Sequence, residues 1–398
     1  MGIAAVGAVY AARVLGPEKL GISTYVFGLV TLGGMLAELN INNELVRRGR
    51  HPHSGETLDD LVSQVFTFRL VVSLLCALAG ILAFLILRPG AEWLLASAAG
   101  AVLVVFQGNQ AGWLLQLRKN MPRYFAALSV QGIVTGLLMV ALIRGSWPAG
   151  SDLAIGVIGT GLACYLMWKW ALPPGCKIRL SKANFFHGAQ LLHGAKWLVL
   201  MGLGLYVLNS AEILLIGSLA GVEDLGQYRA AMQLIGVLTP FVPLFFHSLY
   251  PRLIDLQTHT PSMVAAEQWA AVRKVFVFGL PSVVLGFLMA PLFYPFVFGA
   301  AFAPAATPLC LLFTAKVVSI AANVFLWSAL ARRFDREVVL WTLGIAAISL
   351  SMNILLIPLA GIVAAAAIGC GAQVLLLAAY MHVSAHRDKS ASSQAPVS

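Results

Sequence analysis

The stretch Leu70–Leu87, LVVSLLCALAGILAFLIL, decides the fold. It carries no charged residue and no proline over 18 positions. As a helix rising 1.5 Å per residue it is about 27 Å long, close to the roughly 30 Å of a bilayer's hydrocarbon core. Blocks of the same kind lie on both sides of it. Leu20–Leu39 precedes it, and Trp93–Leu115, Tyr124–Ile143 and Leu153–Leu172 follow. Trp197–Leu219, Leu234–Phe246 with its flanks, Val275–Phe298, Ala305–Leu330, Val338–Leu359 and Gly361–Val383 complete eleven candidate spans after residue 19. The composition agrees: 60% of the 398 residues are hydrophobic and 11% are charged, against about 25% charged in soluble domains. The chain has too few charges to coat a soluble surface, so it reads as an all-α, polytopic membrane helix bundle. Met1–Ala12 is apolar but short, and reads as the second half of a first span, truncated at the N-terminus.

The net charge of +10 does not point to nucleic acid. Lys and Arg mark cytoplasmic loops of membrane proteins, and here they fall in alternate loops. One set holds Arg47, Arg48 and Arg50; Arg118, Lys119 and Arg123; Lys177, Arg179 and Lys182; Arg252, Arg273 and Lys274; Arg332, Arg333 and Arg336; and Arg387 with Lys389. The opposite set is nearly bare, with Arg13 and Lys19, then Arg88, then Arg144. The alternation puts the C-terminus in the cytoplasm and the Leu15–Gly21 loop outside. Membrane lipid is therefore an expected partner.

The chain also repeats. Leu15-Gly16-Pro17-Glu18-Lys19-Leu20-Gly21 matches Ala220-Gly221-Val222-Glu223-Asp224-Leu225-Gly226 at an offset of 205, which also carries Arg69 onto Lys274. Trp113 with Arg118-Lys119 matches Trp327 with Arg332-Arg333 at an offset of 214. These matches predict two pseudo-symmetric six-helix lobes. The expected organisation is an N-terminal lobe over 1–172, a cytoplasmic inter-lobe loop over 173–196, a C-terminal lobe over 197–383 and a disordered cytoplasmic tail over 384–398. Parallel repeats of this kind are typical of transporters, with the site between halves near mid-membrane.

Ionisable residues inside spans are functional candidates by default, because burying them in hydrocarbon is costly. Lys316 stands near mid-depth of Ala305–Leu330, with Ser319 and Asn323 on its helix face. The stripe suits a polar lumen that receives an anionic head group; the other reading is a structural Lys paired on a neighbouring helix. Glu212, with Tyr206 and Asn209 on one face, is either an ion-coupling carboxylate, a counter-ion of Lys316 or Arg229, or a packing acceptor. Arg229 either reaches the lumen or snorkels to outer head groups. Arg69 and Lys274 either anchor to anionic lipid or form a symmetric gate for pyrophosphate. Gln107, Gln110, Gln131, Gln233, Asn353 and Gln373 either line the lumen or bond helix to helix. Prolines 240, 243 and 251, and 281, 291 and 295, read as hinges or as static kinks.

The five cysteines form no C-x-x-C pair, and four lie inside spans; no metal or cofactor is expected. His51, His53, His187, His193 and the Asp59-Asp60 pair show no arrangement suited to catalysis, and the outer loops are short. The chain does not read as an enzyme.

Five stretches carry a resemblance. Ala12–Gly21, Glu38-Leu39-Asn40 with Leu45-Val46-Arg47, and Glu212–Gly217 with Gly226-Gln227-Tyr228 resemble polysaccharide flippases of the multidrug/oligosaccharidyl-lipid/polysaccharide exporter superfamily. Phe298–Ala305 and Ile357–Ala366 do so too. Glu38 and Asn40 depart from that family's Asp-x-Gly, and Glu212 stands where Asp is commoner. The resemblance implies a flippase for undecaprenyl-pyrophosphate-linked oligosaccharide in the bacterial inner membrane, serving O-antigen, capsule or exopolysaccharide synthesis by alternating access. It further implies contact with polysaccharide polymerase machinery, and a lumen to which Lys316, Asn323, Arg69, Lys274 and Arg229 bring polar groups. The alternatives are a small-molecule or multidrug antiporter of the same superfamily, a peptidoglycan-precursor flippase, or an inactive truncated copy. Such antiporters usually need carboxylates in the first lobe, and no acidic residue lies deep in spans two to six.

Overall fold

Apolar blocks this long fold as helices because hydrocarbon offers backbone N–H and C=O groups no partner but each other. In the computed structural model, which describes residues 2–50, 57–87, 90–173, 175–176, 178–236, 263–331 and 335–392, 91% of the described residues are helical and none is in a strand. The elements are α1 (Gly2–Glu38), α2 (Asn42–Arg50), α3 (Leu58–Leu87), α4 (Ala91–Gly108), α5 (Gly112–Leu117), α6 (Met121–Leu142), α7 (Ser151–Ala171) and α8 (Lys182–Gly194). Then come α9 (Lys196–Leu219), α10 (Val222–Gly236), α11 (Val264–Phe298), a 3-10 turn (Ala300–Ala305), α12 (Ala306–Ala331) and α13 (Asp335–Ser392). Among the described residues, nine helical stretches are long and apolar enough to cross a membrane. Two of them hold two arms each. α1 breaks at Gly16, with φ 78°, and α13 breaks at Ala360 and Gly361, the glycine having φ 57°. Both glycines adopt positive φ, which glycine enters without a Cβ clash, and Pro17 then starts the second arm of α1, where its fixed φ suits a helix start. The eighth expected span, with Pro240, Pro243 and Pro251, lies almost wholly outside the described residues. The chain is a multi-pass membrane protein.

The chain divides into two compact units. Unit 1 holds Met1–Tyr206 with Gly221–Gly226; unit 2 holds Val207–Ala220 and Gln227–Ser398. In unit 1, α1 packs on α3, α4, α6 and α7. Its first arm, the expected half-span, lies against α6 through glycines. A methyl on Gly7 would stand 2.5 Å from the Gly136 Cα, and one on Gly136 would strike the Ile3 carbonyl. Two apolar clusters fill the unit. One surrounds Trp113, Leu114 and Leu115 of α5 with Leu45, Leu61 and Met167; the other joins Ile22, Val26 and Val30 to Leu103 and Val104. In unit 2, α12 packs on both α11 and α13. Gln268, Ser328 and Ser384 form a buried hydrogen-bonded knot there, with 2.5 Å between Gln268 Nε2 and Ser328 Oγ.

The structure departs locally from the sequence reading at three places. The fourth span is not continuous: α4 stops at Gly108, and the Asn109 carbonyl accepts the Trp168 indole N–H at 2.8 Å instead of an intrahelical donor. The inter-lobe stretch contains a helix, α8, which docks on α3 with Phe185 stacked on Phe68 at 5.7 Å. The last helix continues to Ser392 through the segment expected as a disordered tail. The Asn40 departure from Asp-x-Gly is explained as well. Asn40 has φ 54°, a left-handed conformation that Asn tolerates best after Gly. Its side chain also donates to the Leu198 carbonyl at 3.1 Å, a bond glycine lacks.

Gly136→Leu should therefore overpack the α1–α6 contact and destabilise unit 1 by about 1–3 kcal/mol. Thermal unfolding of the purified protein in detergent checks this, and an unchanged midpoint would contradict the close α1–α6 approach.

Candidate functional site

Within unit 2 four helices enclose a cavity of about 340 Å³. Its polar lining comes from Asn209 and Glu212 of α9, Arg229 of α10, Lys316 and Ser319 of α12, and Gln373 of α13. Leu208, Met232, Ile235 and Leu312 supply apolar wall. Three ionisable residues singled out in the sequence thus meet in one space, although 104 positions separate Glu212 from Lys316.

Each side chain is held differently. Glu212 Oε1 accepts the Tyr228 hydroxyl at 3.5 Å, and Tyr228 is itself 1% exposed. The phenol reaches the carboxylate from the next helix, at the long end of hydrogen-bond distance. Lys316 is half-buried and has no hydrogen-bond or ion-pair partner among the described residues, so its ammonium remains available to whatever enters. Ser319 lines the cavity one turn further along α12. Gln373 comes in from the last arm of α13, on the lining side of its two readings. The cavity therefore offers two cations, one carboxylate and several neutral hydrogen-bonding groups, walled by hydrocarbon. In such low-dielectric surroundings charge–charge interactions are much stronger than in water.

The other sequence candidates lie elsewhere. Asn323 is outside the cavity lining; its Nδ2 donates back to the Ser319 carbonyl at 2.8 Å. Lys274 lies exposed on α11, also outside the lining. Arg69 is in unit 1 and only 2% exposed. Its Nη2 donates to Asn42 Oδ1 at 2.8 Å and reaches the Glu38 carbonyl at 3.5 Å, while the Asn42 amide bonds the Glu38 carboxylate. Arg69 thus ties the α1–α2 corner to α3, a burial that lipid anchoring at a span end did not anticipate. Its sequence match to Lys274 does not extend to environment. Tyr206 leaves the Glu212 face and bonds the Gly28 carbonyl at 3.4 Å. Gln131 bonds Thr160 on α7 at 3.0 Å, and Asn353 bonds the Ser349 carbonyl of its own helix at 2.8 Å. Tyr228 is the site residue that sequence reasoning missed. The signal was there: it sits 16 residues after Glu212 across the tight turn at Gly221.

No metal cluster is formed: among the described residues no group of three or more His, Cys, Asp and Glu side chains is placed to hold an ion. Cys176, in the stretch between α7 and α8, has its thiol pushed up to about 11 by burial and by Asp59, so it is protonated and a weak nucleophile at neutral pH.

A family model described as "Polysaccharide biosynthesis protein" matches residues 1–257, more than half of the chain. The chain belongs to the polysaccharide biosynthesis protein family. Solved structures agree on the fold of this family member. An inward-facing multidrug resistance MATE family transporter of the MOP superfamily superposes with a TM-score of 0.72 at 12% identity, covering 99% of this chain and 96% of that one. The lipid II flippase MurJ, in an inward closed conformation, gives a TM-score of 0.72 at 12% identity, with 96% and 87% covered. A MOP superfamily transporter from Pyrococcus furiosus gives 0.57 at 10% identity, with 98% and 94% covered. At these identities the likeness is one of fold alone. No curated protein was found to match the sequence.

A structural lysine and a ligand-binding lysine differ in their effect on stability. Removing a half-buried cation that has no protein partner also removes its desolvation cost. Lys316→Met should leave the thermal midpoint of this family member unchanged or raised, as read by unfolding in detergent. A drop of several degrees would make Lys316 a structural residue.

Proposed function

We propose that this protein is a flippase that carries undecaprenyl-pyrophosphate-linked oligosaccharide from the cytoplasmic to the outer leaflet of the bacterial inner membrane, for surface polysaccharide such as O-antigen or exopolysaccharide. The observation that carries the reading is the unit 2 cavity, where Lys316, without a partner among the described residues, stands beside Arg229 and Glu212. The family assignment supports a role in polysaccharide synthesis. The physical task is to bring an anionic, hydroxyl-rich head group through hydrocarbon. Lys316 and Arg229 meet the phosphate charge, Arg by its forked donors and Lys as a point charge. Asn209, Ser319 and Gln373 replace water at the sugar hydroxyls. The lipid tail stays in the bilayer, where it has no reason to leave. The C-terminus lies in the cytoplasm on this reading, in line with the alternation of basic loops.

Glu212 takes the ion-coupling role. Protonation removes a negative charge from a cavity that must hold an anion, and deprotonation restores a counter-charge to Lys316 and Arg229 that favours release. Alternating the two states makes anion affinity follow the proton.

Deletion of the gene in its host should abolish surface polysaccharide and cause lipid-linked repeat units to accumulate inside. Restoring the gene should reverse both, and Lys316→Ala should fail to do so at an unchanged protein level. Unchanged polysaccharide without accumulation would instead favour a small-molecule antiporter. For coupling, Glu212→Gln should weaken the dependence of export on the proton gradient; export with unchanged dependence would remove Glu212 from that role.

A further inference from the structure

The helix α8 lies within unit 1, at a depth that the burial of α3 records. From Leu61 to Arg69 every residue of α3 is buried except Phe66, which is half-buried. Beyond Leu70 the pattern changes. Leu74, Leu75, Leu78 and Leu82 are exposed, as side chains that face lipid are. The buried part includes the stretch that α8 covers. A methyl added to Gly188 of α8 would stand 2.7 Å from both the Gln64 carbonyl oxygen and the Phe68 Cβ. Phe185 stacks on Phe68, and the Arg179 N–H just ahead of the helix donates to Ser63 Oγ at 3.1 Å. Phe68 is two residues, about 3 Å of helix, from Leu70, where the uncharged apolar block begins. α8 therefore lies against α3 at the edge of the hydrocarbon, in the polar zone that is about 5–8 Å deep on each side of a bilayer. Trp197, with the Lys196 Nζ 5.9 Å from its ring, follows α8 directly and is the residue type that belts this zone.

The other face of α8 is exposed and of mixed character. Lys182, Ala183, Phe186, His187 and Gln190 are exposed at helical spacing, with Arg179 and Leu180 exposed just ahead of them. Phe186 is 63% and Leu180 62% exposed: two large apolar side chains on the same segment as two cations. The segment is held in place. The Phe186 ring meets Phe185 edge-on at 5.6 Å. Ser181 accepts the Asn184 N–H at 3.1 Å, and the Asn184 amide donates to the Arg179 carbonyl at 2.5 Å. Its charge is one-sided, because no Asp or Glu occurs from Leu153 to Ala211. Two acidic groups face it from the start of α3. Asp59 is engaged by the Cys176 thiol. Asp60 is within electrostatic reach of Arg179, but its Oδ2 already accepts the Thr57 hydroxyl and N–H at 2.6 and 3.2 Å. Lys182 adds to this face a charge that neither carboxylate offsets.

We propose that α8 is an interfacial helix that binds anionic phospholipid: Phe186 and Leu180 enter the acyl boundary, and Lys182 and Arg179 hold the head-group phosphates. Long basic side chains reach head groups while their stems lie along apolar surface. A helix at this depth is held by apolar burial and by attraction to anionic lipid together. Charge selects the occupant. An anionic leaflet complements the basic segment, whereas a second copy of this chain would bring cation to cation. The inference rests on the multi-pass placement of the chain in a membrane and is independent of the cargo of the unit 2 cavity.

The test has two parts. For depth, the full chain with its five cysteines replaced carries Phe186→Cys labelled with a polarity-sensitive fluorophore, in nanodiscs of phosphatidylcholine and phosphatidylglycerol. Lipids brominated near the head-group end of the acyl chain should quench the label strongly, and acrylamide in the water only weakly. Quenching by acrylamide alone would overturn the proposal, and so would shielding from both quenchers, which would mean that protein covers the face. If the Phe186→Cys chain does not fold, Ala183→Cys on the same exposed face carries the label. For lipid class, the full chain is given phosphatidylglycerol and phosphatidylcholine in equal amounts and the bound lipids are counted by native mass spectrometry. Phosphatidylglycerol should predominate. Arg179→Gln with Lys182→Gln should lower that preference by about fivefold per charge removed. Arg13→Gln, an exposed cation in the opposite set of loops, should leave it unchanged. Equal binding of the two lipids by the unaltered chain, or full preference kept by the folded double variant, would overturn the proposal.

Discussion

A cation held within a hydrocarbon-embedded bundle, with no partner among the described residues, is the constraint on which unit 2 depends. A charge at such depth must be given a polar space or a partner. Lys316 is given space: α9, α10, α12 and α13 stand apart enough to leave a cavity of about 340 Å³ around its ammonium, and they line it with hydrogen-bonding groups. Glu212 is given a partner in Tyr228. The difference between the two is informative. The carboxylate has a phenol within reach, whereas the lysine leaves its donors for an incoming group. The cavity thus places a carboxyl group beside a lysine that has no partner among the described residues.

Unit 1 is held together through backbone proximity more than through charge. Apolar side chains gain little by leaving lipid for one another, so helices associate through close packing. Gly7 against Gly136 brings main chains to a separation at which even a methyl collides. Polar side chains in unit 1 serve corners and breaks: Arg69 and Asn42 at the α1–α2 turn, Asn40 on Leu198, and Trp168 on the interrupted helix at Asn109.

Much of this was legible in the sequence. Uninterrupted apolar blocks of bilayer length dictate helices, because lipid leaves the backbone no other choice, and the span pattern followed from that. Lys316, Glu212 and Arg229 stood out because charge is so rare in these blocks, and the structure gathers all three. What the sequence did not reveal depends on neighbours. Whether Gln373 or Asn353 faces a cavity is a matter of which helix lies opposite, and the two differ only there. Arg69 matched Lys274 by position, yet one is buried against Asn42 and the other exposed. The break at Asn109 has no Pro or Gly at the interrupted residue itself, only a tertiary donor, Trp168, that draws its carbonyl out of the helix. The positive φ of Asn40 was foreshadowed by its standing where a glycine is usual.

The central claim is that the cavity around Lys316 carries an anionic, lipid-linked glycan across the bilayer. The most direct measurement is translocation in proteoliposomes containing the purified protein and a polyprenyl-pyrophosphate-linked oligosaccharide, read by the fraction of glycan open to an added glycosidase over time. The account predicts that glycan on the protected leaflet becomes accessible far faster than in protein-free liposomes, and that the acceleration disappears with Lys316→Ala. Equal rates with and without the protein, or an undiminished rate with Lys316→Ala, would contradict it.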